Sequence, residues 1–133
     1  MKRIYLYSSI LISILLFATC RDAKKQSTGK DTQIEWIQKT WDFGEISEGE
    51  EVCHTFRFKN IGNYPFIIKK VETGCGCTTV SYDKAPVAPG KEGKLEISFN
   101  SESRYGKQYK EIRIFANIPE KQTSVRFTAN VRE

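Results

Sequence analysis

The sequence predicts an all-β protein, an immunoglobulin-like antiparallel β-sandwich of about seven strands with Greek-key connections. Three observations predict it. Apolar and polar residues alternate in run after run, with the period of two that marks a half-buried strand. Turn-forming clusters separate the runs at intervals of about 10 to 20 residues. No stretch of the domain spaces its apolar residues by three and four over about ten residues, so no amphipathic helix competes with the strands.

Lys2 and Arg3 precede a run from Ile4 to Ala18 that is apolar except for tyrosines and serines. This is the charged start and apolar middle of a secretion signal. At about 15 residues the run is short for a spanning helix, which needs about 20. Phe17-Ala18-Thr19 leads directly into Cys20, and polar chain follows at once. The arrangement resembles a lipobox. It implies that residues 1–19 are a lipoprotein signal peptide and that Cys20 is acylated, by palmitate or a similar chain, as the mature N-terminus. The protein is then expected in the cell envelope, lipid-anchored to a membrane on its periplasmic or cell-surface face.

Residues 20–32 hold the lipidated cysteine and a flexible tether, because Arg21 to Thr32 contains no aromatic or β-branched aliphatic residue to offset the entropy of ordering. Residues 33–133 form the domain. Removing Lys2 and Arg3 with the leader leaves 19 basic residues against 16 acidic ones, a net charge of +3. The charges are interspersed, and no Lys/Arg cluster is interleaved with aromatics. Nucleic acid is therefore not an expected partner.

Ile34 to Ile37 opens the domain. Asp42-Phe43-Gly44 reads as a turn that buries its ring, with Gly44 free to take positive φ. From Glu51 to Lys59 the alternation is strict. Val52, His54, Phe56 and Phe58 share one face, and Cys53, Thr55, Arg57 and Lys59 the other. Asn60 and Gly62 end this strand in a loop that needs permissive backbone. Pro89-Gly90 restarts the chain into a strand with Leu95, Ile97 and Phe99 inward. Ile112, Ile114 and Ala116, then Val125, Phe127, Ala129 and Val131, repeat the pattern. Trp36, Trp41 and Phe43 join Phe56 and Phe58 as expected core.

Trp41-Asp42-Phe43-Gly44-Glu45-Ile46, Gly49-Glu50, and His54 through Gly62 stand in a familiar order. They are followed by Pro65-Phe66-Ile67-Ile68, Gly74-Cys75-Gly76-Cys77-Thr78 and Ala85 through Gly90. Together these resemble the bacterial domain-of-unknown-function family numbered 1573, over about Ile34 to Glu133. The resemblance implies an exported protein with an immunoglobulin-like fold, related to domains of ciliary and centrosomal proteins. It implies no particular chemistry.

Three cysteines remain after Cys20, so Cys53, Cys75 and Cys77 cannot all pair within one chain. A fully extended Cys75-Gly76-Cys77 would hold its outer Cα atoms about 6.6 to 7.2 Å apart, at the limit of disulfide geometry, and a bend at Gly76 brings them into range. Such a small ring is strained and reducible. Three arrangements stay open: a redox-labile pair or two thiolates for a soft metal such as Cu(I), an inert compact turn with its side chains packed under a loop, with or without one thiol bridged to Cys53, and a partner-contacting loop. Alternation places Cys53 on the outer face, which argues against its bridge.

No set of nucleophile, base and orienting group can be assembled from one histidine, His54, and scattered carboxylates. The expectation is a non-enzyme without cofactor or metal site, serving as an interaction or assembly module. Its expected partners are a membrane, through the N-terminal lipid, and another envelope protein. The alternative is a thiol-redox or copper-handling protein that uses Cys75 and Cys77.

Overall fold

The computed structural model describes residues 30–133. The expected signal peptide, Cys20 and most of the expected tether lie outside the described residues. Eight strands follow in order: β1 (Ile34–Trp36), β2 (Thr40–Ser47), β3 (Glu51–Asn60), β4 (Ile68–Thr73), β5 (Thr78–Tyr82), β6 (Glu92–Asn100), β7 (Gly106–Ala116) and β8 (Gln122–Arg132). They form two four-stranded sheets, β1-β3-β6-β5 and β2-β8-β7-β4. The chain changes sheet between β1 and β2, β2 and β3, β3 and β4, β4 and β5, and β6 and β7. Only β5-β6 and β7-β8 are hairpins within one sheet. This is the immunoglobulin-like sandwich.

The opening segment differs from its sequence expectation. Residues 37–39 carry the chain from the edge of the first sheet to the edge of the second without reversing its direction. As a result β2 lies parallel to β8, the one pairing that is not antiparallel. Asp42-Phe43-Gly44 is not a free turn but a bulge inside β2, where the register with β8 shifts between Asp42 and Glu45. Gly44 takes φ +70° there, a backbone state costly for any residue with a Cβ.

The alternating residues meet between the sheets. Phe56, Leu95, Ile97, Phe99, Ile112, Ile114, Val125 and Phe127 make the main core, with Trp41, Phe43 and Val52 packed against it from the margins. Phe58, Phe66, Ala116 and Ile118 form a second cluster at one end, flanked by Ile34, Trp36 and Val87. Phe58 pairs with Gly93 across β3 and β6 and lays its ring where a Cβ at 93 would stand, 2.3 Å from the ring edge. The strand glycine is therefore filled by a neighbour's side chain.

Two buried asparagines organise that same end. Asn60 is fully buried. Its Nδ2 donates to the carbonyls of Tyr64 and Val87, both at 2.8 Å, and its Oδ1 accepts from the Thr32 hydroxyl at 2.9 Å and the Gly62 N–H at 3.1 Å. Asn117 Oδ1 accepts from the Ile67 N–H at 2.6 Å, and its Nδ2 donates to the carbonyls of Lys30 and Pro65, each at 2.9 Å. Gly62 is needed for closeness and not for positive φ. A Cβ there would stand 2.2 Å from Thr32 Oγ1.

These bonds move the start of the domain. Thr32 is buried, Asp31 pairs with Lys121 at 2.5 Å, and the Lys30 ammonium lies 4.9 Å from the Tyr64 ring centre. Residues 30–32, assigned to the tether by composition, thus belong to the folded unit. Composition misplaced them because their anchors are backbone and side-chain hydrogen bonds and not apolar burial.

Phe56→Ala is expected to lower stability by about 3 to 5 kcal/mol, the usual cost of emptying a packed aromatic site. Asn60→Ala should cost about 3 kcal/mol, since it removes four hydrogen bonds and strands the Tyr64 carbonyl and the Thr32 hydroxyl, while the Val87 carbonyl and Gly62 N–H keep their bonds to the Phe66 N–H and the Gln33 carbonyl. Urea denaturation of both variants checks this. An Asn60→Ala midpoint equal to wild type would mean that water replaces the amide.

Candidate functional site

Two places on the sandwich have unspent chemistry: the loop that holds the cysteine pair, and a groove at the asparagine end. The loop joins β4 to β5 and crosses from the second sheet to the first. Cys75 and Cys77 are bonded to each other, with their Cα atoms 5.3 Å apart. Thr73 Oγ1 donates to the Cys75 carbonyl at 3.2 Å, and the Asn100 N–H donates to the Cys77 carbonyl at 3.0 Å. Cys77 packs on the main core, while the Cys75 sulfur lies 3.8 Å from the Thr78 hydroxyl.

Cys53 is unbridged and exposed. It pairs across the first sheet with Ser98, and Ser98 with Thr79, so two strand spacings, about 10 Å, separate Cys53 from the strand that follows the loop. That exceeds disulfide reach. The arrangement with one loop thiol bridged to Cys53 is therefore replaced by a bridge within the loop. It also leaves no thiolate in the oxidised loop for a soft metal. Among the described residues, no group of three or more His, Cys, Asp or Glu side chains is placed to hold a metal ion.

His54 faces inward from β3. Its ring stacks on Trp41 with centres 4.0 Å apart and meets the Phe43 and Phe56 rings at their edges. Nε2 of His54 and Nε1 of Trp41 are both buried without a hydrogen-bond partner. Burial holds the imidazole below its ordinary pKa. No nucleophile or carboxylate appears among these stacked rings, so His54 is a packing group.

The groove has a volume of about 630 Å³ and opens where the chain leaves the first sheet for the second. Ile34 and Trp36 of β1 line one wall, Gln122 to Ser124 and Arg126 of β8 the other, with Ile61 and Ile118 at the end. Trp36 Nε1 donates across it to Thr123 Oγ1 at 3.2 Å. β2 begins beside β8 only at the level of Arg126, whose N–H donates to the Lys39 carbonyl at 2.8 Å. Ser124 shares the backbone parity of Arg126 and points its N–H and C=O to the same side. Among the described residues, no backbone partner meets Ser124 there. Trp36, expected in the core, also borders this edge, which no local sequence pattern marks beyond the polar interval Gln38-Lys39-Thr40 between the two tryptophan segments.

The family model described as "Protein of unknown function (DUF1573)" matches residues 34–131. The chain belongs to this family. The DUF1573 sandwich is similar in structure to a protein of unknown function from Porphyromonas gingivalis W83. Identity there is 19% and the TM-score 0.67, over 82% of this chain and 51% of that one. It is also similar to the VesB protease of Vibrio cholerae, at 14% identity and a TM-score of 0.62, over 74% of this chain and 32% of that one. A third likeness is to the ASH/PapD-like domain 7 of human CEP192, at 12% identity and a TM-score of 0.57, over 88% and 96%. The chain spans about half the length of the Porphyromonas protein and a third of the protease. At these identities the likeness is one of fold alone. No curated protein matches the sequence. An immunoglobulin-like fold in a family of unknown function fits a non-catalytic module.

The buried imidazole sets a pH dependence. The folded-state pKa of His54 is depressed, so the unfolded chain binds the extra proton first. Stability should be level above about pH 6.5 and fall as the pH drops below it. Asp42, Glu72 and Glu111 are also held below their ordinary values. Asp42 is held chiefly by the Gly44 N–H, Glu72 by Lys70, and Glu111 by the Ser124 hydroxyl. Their contributions persist to more acid pH. Melting temperatures between pH 7.5 and 5 should therefore decline in wild type and stay nearly level in His54→Phe.

Proposed function

We propose that this DUF1573 protein is a membrane-anchored cell-envelope lipoprotein whose sandwich docks an extended segment of another envelope protein along the open start of β8. The observation that carries the docking half is the Ser124 backbone, without a partner on its open side among the described residues, beside a groove with Trp36 and Ile34 along one wall. A strand added there would complete the ladder that β2 begins at Arg126, and its alternate side chains would enter the groove. Backbone bonds would supply affinity and the groove selectivity, the logic of β-augmentation. The anchoring half is supported by the run of residues from Lys2 to Cys20. The chain enters the folded unit at Lys30 to Thr32, beside Asn117 and Asn60. The groove thus opens at the end of the sandwich that a lipid at Cys20 would tether.

Two measurements test this reading. Intact mass of the wild-type protein should show an acylated N-terminus at Cys20, and Cys20→Ala should retain residues 1–19. A soluble mature protein starting elsewhere removes the anchor. A photocrosslinker at Gln122 should give a discrete adduct in whole cells. Ser124→Pro should abolish that adduct while shifting the melting temperature by only a few degrees, because the lost N–H faces the open edge and not β7. An undiminished adduct in folded Ser124→Pro would rule out strand addition there.

A further inference from the structure

We propose that Cys75 and Cys77 form a thiol–disulfide exchange site for a dithiol partner. This assignment is independent of the groove. The pair stands at the opposite end of the first sheet from Asn60: Cys77 adjoins Asn100, which pairs with Glu51 at the far end of β3. The site therefore faces away from the end at which the tether enters.

Three features separate this bridge from a structural staple. It closes a loop over one glycine, so it removes little entropy from the unfolded chain. Other bonds hold the loop in place: the Thr73 hydroxyl on the Cys75 carbonyl, the Asn100 N–H on the Cys77 carbonyl, and the seating of Cys77 on the core. Opening the disulfide releases none of them. The bridge is also approachable. Cys75 and Cys77 are each half-buried, and Gly74 and Gly76 beside them are exposed with open space where a side chain would stand.

The two sulfurs are not equivalent. Cys77 is packed on the core, whereas Cys75 has the Thr78 hydroxyl 3.8 Å from its sulfur. Cys75 is the exchanging sulfur and Cys77 the resolving one. A partner thiolate attacks Cys75 Sγ, the Cys75–Cys77 bond breaks, and Cys77 leaves as a thiolate that takes up a proton. The partner's second thiolate then attacks its own sulfur in the mixed disulfide and releases Cys75. The loop gains two electrons and two protons, and the partner dithiol loses them to become a disulfide. The reverse sequence, starting from the reduced loop, reduces a partner disulfide and re-forms the Cys75–Cys77 bond. The Thr78 hydroxyl can donate to the freed Cys75 thiolate, which makes it a positioning residue.

The test uses the folded domain with Cys53→Ser, so that the exposed thiol does not interfere. Dithiothreitol at neutral pH without denaturant should reduce the bridge fully, read as an alkylation mass shift, with the melting temperature changed by only a few degrees. With oxidised glutathione, Cys77→Ser should form a mixed disulfide on the order of tenfold faster than Cys75→Ser. Thr78→Val in the Cys77→Ser background should move the pH midpoint of that rate upward, and Thr78→Ser should restore it. Three results would each overturn the assignment: reduction only on unfolding, collapse of the fold on reduction, or equal rates at the two sulfurs. Should the fold of Thr78→Val fail, the comparison of the two cysteine variants still decides.

Discussion

One buried carboxamide holds the tether end of this sandwich together. An amide side chain has two donor hydrogens and an acceptor oxygen with two lone pairs. Asn60 uses all of that capacity on four separate points of the chain: Thr32, Gly62, Tyr64 and Val87. In a fully buried position each of those bonds is strong, and each stranded partner would be costly. The amide therefore dictates where the chain enters the domain, how the loop after β3 turns, and where the segment before β6 lies. Gly62 follows from it, because Thr32 can reach Oδ1 only if no Cβ stands between them. Asn117 does the same from the β7 side for Lys30, Pro65 and Ile67.

The groove is a consequence of that anchoring. With the entry held at Thr32, β1 is committed to the edge of the first sheet, and the chain needs residues 37–39 to cross to the second. The first residues of β8, paired with β7 on one side, have no strand on the other during that crossing. Open edges invite pairing with another chain, and most sheets blunt them with charge, proline or a covering segment. Here the opening is short and backed by Trp36, whose indole N–H already holds Thr123. The opening is therefore limited to the residues of β8 that precede Arg126.

The two ends of the molecule are held by different means. At the entry end, polar groups are saturated and buried, and removing one disturbs several segments. At the far end, the crossover from β4 to β5 is held by the backbone and by the seating of Cys77 on the core, while the disulfide spans a single glycine. A bridge with so little structural duty is free to carry chemistry. The aromatic wall around His54 lies against the core, and burial there holds the imidazole below its ordinary pKa.

The sequence by itself determined the sandwich and the facing of its strands. Alternation in β3, β6, β7 and β8 names the core directly, since a one-residue shift would turn every apolar side chain to solvent. Gly90 was legible too, because Pro89-Gly90 calls for a left-handed residue and φ is +76° there. The roles of Asn60 and Asn117, the parallel seat of β2 and the groove were decided only by tertiary structure. They depend on which distant segments are brought together, and a local pattern cannot encode a hydrogen bond to a residue 28 or 87 positions away. The pairing of the cysteines falls between the two. Spacing allowed Cys75 to meet Cys77, and only the sheet order, which sets Cys53 two strands from Thr79, removed the competing bridge.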